Sequence, residues 1–386
     1  MPSLRPWIPA IASFAVAAST SAFADSIILI PDTLRDRVWA FDAFDGAVIS
    51  SDYIPADGQM KQVQSIVQLP SGNLVMLEPA TSIECSSLDG LLEYSPCGTF
   101  IRRIVGEADG ACDAQQGCVV GDRLWFVRAD INPNTPVVPP PEQDPKPPGL
   151  NGMWSINLDG TGLIETLRHP TLIRMNGMAR IASGFVASDG GSSPPCRLVH
   201  VSADGTTMQS WYEPPQASTF LNFPQQVSPM PGGGVAVACF SGAAGVYFFD
   251  AAGQPRKDIN WYHPAQGAYN GLAVRGCHPL GNGEVLYCGG TVVGAFDPTT
   301  GADRLIVNAL GGTSGMSAQA LFRFISKVER CSCDLNCDAR VDGQDLGVLL
   351  GDWGSAGTPS DINGDGTVDG QDLGVLLGSW GACFNP

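Results

Sequence analysis

Six β-hairpins that return every 45–62 residues, followed near the C-terminus by a duplication offset by 27 residues, predict an all-β, six-bladed β-propeller with a small α-helical duplicated domain behind it. A third observation concerns the first 24 residues, which have the build of a cleaved export signal. The expected organisation is therefore a signal at 1–24, a propeller at 25–330 and a tandem-loop domain at 331–386.

The leader contains one basic residue, Arg5, an apolar stretch from Trp7 to Ala18, and the small-x-small ending Ala22-Phe23-Ala24. Cleavage after Ala24 leaves Asp25 as the first mature residue. The apolar stretch includes Pro9 and falls short of the ~20 residues a bilayer span needs, and no later stretch is long enough. The expected location is secreted or cell-surface, with no transmembrane segment. Twelve Cys then meet an oxidising compartment. A formal charge of −17 without a basic cluster argues against nucleic acid or an anionic membrane as partner. With 44% hydrophobic residues the chain can still build a core, and 47 Gly and 30 Pro make it turn-rich.

The hairpins read RVWAFDAFDGAVIS, GLLEYSPCGTFIRRI, GMWSINLDGTGLIETL, RLVHVSADGTTMQSW, GVYFFDAAGQPRKDI and VVGAFDPTTGADRLI, with turn glycines Gly46, Gly98, Gly160, Gly205, Gly253 and Gly301. Alternation on either side of an Asp-Gly-like turn is a hairpin signal. Regular return at ~40–50 residues indicates propeller blades. Two further strand-like stretches precede each hairpin, as with Gln226–Met230 and then Val235–Phe240. The first blade has no room for its innermost strand, because Ile27 follows the signal almost at once. The alternating segment Gln319–Ile325 is expected to fill that place, joining the two chain ends and leaving no open edge. The long gap contains NPNTPVVPPPEQDPKPP at 132–148, too proline-rich for a central strand and expected to form an extended loop.

The duplication has the clearest chemistry. Residues 334–354 and 361–381 are identical at 16 of 21 positions. Oxygen side chains recur at loop positions 1, 3, 5, 9 and 12: Asp334, Asn336, Asp338, Asp342 and Asp345, then Asp361, Asn363, Asp365, Asp369 and Asp372. The position-7 carbonyls of Arg340 and Thr367 add another donor. Calcium is a hard cation that takes ~6–8 oxygens, and this spacing turns successive side chains toward one point. Two calcium ions are the expected cofactors. Position 12 is expected to open a helix in each copy. Position 6 requires φ > 0, which suits Gly366 in the second loop and not Ala339 in the first, so the first site is expected to be the weaker.

These residues closely resemble the dockerin family, with Asp rather than Glu at position 12, over about 50 residues. The Trp-Gly helix endings and flanking Cys are similar to the dockerin-like tails of exported planctomycete proteins. The resemblance implies calcium loops and a cohesin-like or surface-anchoring receptor, with loop positions 10 and 11 helping to choose the partner. Here these are Gly343-Gln344 and Gly370-Gln371, unlike the Ser-Thr type of cellulosomal members.

The propeller shows no HExxH, GxSxG, GxGxxG or P-loop pattern. What recurs is an amide expected to open each innermost strand: Gln64, Gln116 (or Gln115), Asn176, Gln225, Asn270 and Gln319. Carboxamides donate and accept hydrogen bonds, as a sugar, water or cation ligand requires. Asn176-Gly-Met-Ala and Asn270-Gly-Leu-Ala are also similar to motifs of gluconolactonase and strictosidine-synthase-like propellers. That likeness implies a channel Asn joined by Glu and Asp on a divalent metal, but no acidic residue opens an innermost strand here. Eight Cys fall in the propeller and four in the tail. Pairs Cys277–Cys288 and Cys333–Cys383 are the expected disulfides. The function expected from all this is an exported, non-enzymatic propeller that binds a carbohydrate or surface component and is held by a calcium-dependent tail. The alternative is a glycan- or lactone-active enzyme on the same tail.

Overall fold

The computed structural model describes residues 24–78, 90–106, 113–129, 152–190, 196–215, 221–241, 244–262, 273–311, 317–318 and 320–384. The leader through residue 23, the proline-rich stretch, Asn270 and Gln319 lie outside the described residues.

Six antiparallel sheets form the blades. Blade one contains β1 (Ala24–Asp32), β2 (Arg37–Asp42) and β3 (Val48–Ile54). Blade two is β4 (Ser65–Gln68), β5 (Leu74–Leu77), β6 (Gly90–Tyr94) and β7 (Phe100–Gly106). Blade three is β8 (Ala114–Val120), β9 (Arg123–Arg128), β10 (Gly152–Asn157) and β11 (Ile164–Arg168). Blade four is β12 (Met175–Ile181), β13 (Gly184–Asp189), β14 (Arg197–Ser202) and β15 (Met208–Tyr212). Blade five has β16 (Pro224–Pro229), β17 (Val235–Cys239) and β18 (Gly245–Phe249), with bridges Phe249–Pro255 and Val246–Tyr262 at its outer edge. Blade six is β19 (Gly276–Pro279), β20 (Val285–Gly289), β21 (Val292–Phe296) and β22 (Asp303–Asn308). A two-residue pair, β23 (Leu310–Gly311) and β24 (Ser317–Ala318), precedes β25 (Ser326–Cys331).

The hairpin reading holds in all six blades. Each of the six turn glycines has φ between +72° and +90°, a conformation that costs any residue with a Cβ. Each pair of neighbouring blades closes its own apolar layer. Leu29, Met76 and Leu92 lie between blades one and two, Leu77, Phe126 and Trp154 between two and three, and Trp125, Met153 and Phe185 between three and four. Val186, Leu198 and Tyr247 follow between four and five, Phe248, Tyr262 and Tyr287 between five and six, and Phe41, Leu286 and Phe322 between six and one. Such side chains contribute about 1.5–3 kcal/mol each when fully buried. Six layers for six blades is a closed ring.

The clasp is displaced from its expected position. β25 pairs with β1 from Leu29–Ser326 to Ala24–Cys331, so residues 326–331, not Gln319–Ile325, form the innermost strand of blade one. The earlier segment spends its backbone across blades instead of along one. Phe322 bridges Asp32 and Gly290, Arg323 N donates to Pro31 O, and Phe324 N donates to Gln64 O. Phe322 packs into the layer between blades six and one, and Phe324 is likewise fully buried.

Behind β25 the tail forms β26 (Arg340–Val341), α1 (Gly343–Gly351), α2 (Gly370–Gly378) and β27 (Gly381–Ala382). Leu349, Leu376, Val341 and Val368 make its core. Each helix begins two residues before loop position 12. Asp342 and Asp369 are the N-caps, and Asp345 and Asp372 return hydrogen bonds to the cap backbone, a capping box in each copy.

Both expected disulfides are corrected. Cys277 lies opposite Tyr287 in the β19–β20 register, so Cys288, one residue on, faces the other side of the sheet. Cys277 packs between blades five and six and Cys288 between six and one. Cys383 bonds Cys331, at 2.05 Å, while Cys333 sits with Sγ 3.4 Å from Ser379 Oγ. A second bond, Cys97–Cys337, ties the β6–β7 turn to the first acidic loop. The Phe384 ring covers Gly72 in the β4–β5 turn so closely that a Cβ there would sit 2.1 Å from it. Among the described residues, no helix is long and apolar enough to cross a membrane.

Candidate functional site: the acidic loops and the channel mouth

The two acidic loops fold alike. At position 1, Asp334 accepts from Asp338 N (3.1 Å) and Ala339 N (2.8 Å), and Asp361 accepts from Gly366 N (2.9 Å). At position 3, Asn336 and Asn363 accept from the backbone of Asp338 and Asp365, and each donates its amide to that aspartate's carboxylate at 3.1 Å. At position 12, the fully buried Asp345 and Asp372 accept from Asn336 N and Asn363 N across the loop, at 3.1 and 3.0 Å. Positions 1, 3 and 12 thus accept backbone amides of the same turn in each copy, while among the described residues no group of three or more His, Cys, Asp or Glu stands together as a metal cluster. Asp361 Oδ1 is buried without a hydrogen-bond partner. A buried carboxylate oxygen without a hydrogen-bond partner, in a loop rich in oxygen side chains, fits a hard cation. Burial, supported by the Asp345 charge, holds Asp334 above the usual carboxylate range.

Backbone geometry separates the copies more than position 6 alone. Position 4 is also left-handed: Cys337 (φ +66°) and Ala339 (φ +68°) in the first loop match Gly364 (φ +72°) and Gly366 (φ +98°) in the second. Ala339→Gly is expected to tighten calcium at the first loop by about five-fold or more, since αL costs a Cβ residue roughly 1–2 kcal/mol. Gly366→Ala is expected to weaken the second by the same factor. Calorimetric titration of both variants checks this, and two wild-type sites of equal affinity would contradict it.

At the channel, three inner strands carry the same irregularity. Register shifts fall at Ala114/Gly117 on β8, Met175/Met178 on β12 and Pro224/Val227 on β16. Each bulge turns an amide into the axis. Gln116 Nε2 donates to Val227 O (2.9 Å), and its Oε1 accepts from Met178 N (3.0 Å), linking blades three, four and five. Asn176 Nδ2 donates to Pro224 O (2.9 Å). Gln226, absent from the predicted set, accepts from Ile325 N (2.8 Å) and Cys277 N (3.2 Å). Gln64 is buried, and its backbone carbonyl, not its side chain, accepts from Phe324 N. Gly177 has no space for a Cβ, which would meet Gln225 O at 2.2 Å. These amides stitch the inner strands together and fill the axis.

The mouth above them is lined differently from what spacing suggested. Arg174, Arg275 and Arg323 each stand one to three residues before an inner strand, and the charges of Arg323 and Arg174 both act on Arg275. The Arg174 guanidinium lies 5.2 Å from the Phe223 ring and that of Arg275 lies 4.2 Å from the Phe240 ring. The two rings meet edge to face at 5.4 Å. Arg275 Nη1 donates to Gln225 Oε1 (3.3 Å), and Arg323 Nε donates to Thr33 Oγ1 (3.1 Å). Buried carboxylates set the segments that carry two of them. Asp189 accepts from Arg174 N (2.9 Å) and pairs with Arg197 (2.9 Å). Asp32 accepts from Leu321 N (2.8 Å) and pairs with Arg37 (3.1 Å). No motif announces these arginines, which are isolated in sequence.

The tail also repeats an exposed apolar pair, Leu350 with Trp353 and Leu377 with Trp380, each about half exposed at 53%, 49%, 51% and 51%.

No family model matches the chain, and no curated protein matches it significantly. Among solved structures it is similar to a chain of a nidogen/laminin complex, with TM-score 0.56 and 9% identity over 78% of this chain and 98% of that one. It is also similar to XC5397, a gluconolactonase from Xanthomonas campestris, with TM-score 0.49 and 16% identity over 72% and 82%. A protein of unknown function from Bacteroides caccae matches with TM-score 0.48 and 11% identity over 79% and 99%. At such identities the likeness is one of fold.

Proposed function

We propose that the chain is an exported, non-enzymatic binding protein. The propeller carries the ligand face for a carbohydrate or surface component. The duplicated tail, with two calcium ions, attaches the molecule to a cohesin-like or surface-anchoring receptor. The observation that carries this reading is the tail itself. The same oxygen set is folded into the same turn twice, with a buried, unpartnered oxygen at Asp361. Two disulfides are compatible with an oxidising, extracellular setting. The twice-presented Leu-Trp pair supports a receptor contact, since exposed aromatic and aliphatic side chains in a small module favour burial by a partner. In each loop Asp, Asn and a backbone carbonyl would hold the ion, which supplies the positive charge that offsets the loop's carboxylates.

The test is calcium titration of the full mature chain after chelation. Two bound equivalents and a rise in melting temperature with calcium are expected. Asp361→Ala is expected to abolish one equivalent. Titration heat at the level of dilution in millimolar calcium would overturn the reading.

A further inference from the structure

Basic residues are the minority in this chain: 21 Lys and Arg stand against 38 Asp and Glu. Three arginines at one mouth run against that composition. Among the described residues no carboxylate lies against Arg275 or Arg323, and the nearest buried acids, Asp32 and Asp189, are matched by Arg37 and Arg197.

The placement is built. Asp189 and Asp32 fix the backbone that carries Arg174 and precedes Arg323, while Phe223 and Phe240 hold the guanidiniums of Arg174 and Arg275 over their faces. Arg275 and Arg323 share one neighbour, because Arg275 N donates to Cys288 O and Cys288 Sγ donates to Arg323 O (2.7 Å). Gln225, 3% exposed, adds a buried Nε2 with no acceptor among the described residues. Burial first, then the Arg323 and Arg174 charges, push Arg275 down to about 9. Like charges gathered and half-desolvated cost stability, and an arrangement of that kind suits an anion that neutralises them. All three arginines remain partly exposed and reachable.

We infer that the mouth formed by Arg174, Arg275 and Arg323 binds an oxyanion group of an acidic glycan, either the carboxylate of a uronic acid or the sulfate of a sulfated sugar. The guanidinium fork matches such groups with paired donors. The glycan part rests on the carbohydrate-binding reading above.

The experiment titrates the calcium-loaded full chain with trigalacturonate, a sulfated carrageenan tetrasaccharide and neutral cellotriose, and follows melting in inorganic sulfate. One anionic oligosaccharide is expected to bind while cellotriose does not, and which of the two binds identifies the group. Arg275→Met should weaken that binding about ten- to one-hundred-fold, with the ligand-free melting temperature unchanged or raised because a like charge is gone. Arg323→Met serves as the second variant. Binding of cellotriose as tight as that of the acidic sugars would overturn the inference and leave the carbohydrate reading in place. A sulfate-dependent melting shift, lost in Arg275→Met, with no sugar bound, would keep the oxyanion site and overturn the carbohydrate reading. Neither sugar binding nor a sulfate shift, or equal binding by both variants, would overturn the site.

Discussion

A chain ending at Ile325 is expected to open and aggregate, while one ending at Ser332 stays soluble and melts in a single transition. The shorter chain loses β25, the only partner of the inner edge of β1 in blade one. It exposes Ile27 and Leu29, which are 3% and 0% exposed in the closed ring, and removes Val328 from the layer they share. It also frees a ladder of backbone groups, each hydrogen bond contributing about 0.5–1.5 kcal/mol net. Together these losses approach the whole stability of an ordinary domain, roughly 5–15 kcal/mol. An apolar strand with an unpaired edge then templates association. Cys97→Ser should be present in both chains and Cys331→Ser in the longer one, because each cysteine loses its partner with the tail. Equal melting temperatures and equal solubility would show that β25 is not the clasp.

Breaking Cys97–Cys337 should uncouple the tail from the ring. In the intact protein the bond fixes the first acidic loop to the β6–β7 turn over a sequence separation of 240 residues. A crosslink closing so long a loop typically contributes about 2–4 kcal/mol, mainly by restricting the unfolded chain. It also holds Cys337 in its left-handed conformation. The double variant Cys97→Ser/Cys337→Ser is therefore expected to melt in two steps, with calcium raising only the tail's transition. The wild type is expected to show one calcium-sensitive transition. Calorimetry in calcium and in chelator reads the difference. A single unchanged transition in the variant would mean that the noncovalent contacts, Phe384 on Gly72 among them, suffice to hold the tail.

The ring was legible because its signal is local. Alternation and a glycine at φ > 0 are set within each hairpin, and all six turn glycines occupy that conformation. The two short helices behind the acidic loops were legible for the same reason, as each is capped by an Asp within its own repeat. What escaped was set by distance in sequence. Cys97 and Cys337 meet only after the ring has closed. Cys277 and Cys288 look paired across a turn, yet one residue of register sends their sulfurs to opposite faces. Phe322 and Phe324 carry a strand's alternation while bonding across blades, and Ser326–Cys331, polar at most positions, serves as the strand. Arg174, Arg275 and Arg323 have no shared motif, since three different blade connections deliver them to one place.

β25 has a further consequence for how the molecule meets its surroundings. It begins three residues after Arg323 at the mouth and ends at Cys331, where the tail starts. At ~3.3 Å per residue its six residues cross about 20 Å. The tail therefore lies against the β4–β5 and β6–β7 turns at one end of the strands, and the arginines stand at the other end. A layer of such molecules fixed by their tails would hold every mouth at one height and in one direction. A polymer bearing repeated charges could then bridge several copies at once, and weak single-site binding would add up to strong retention through effective concentration.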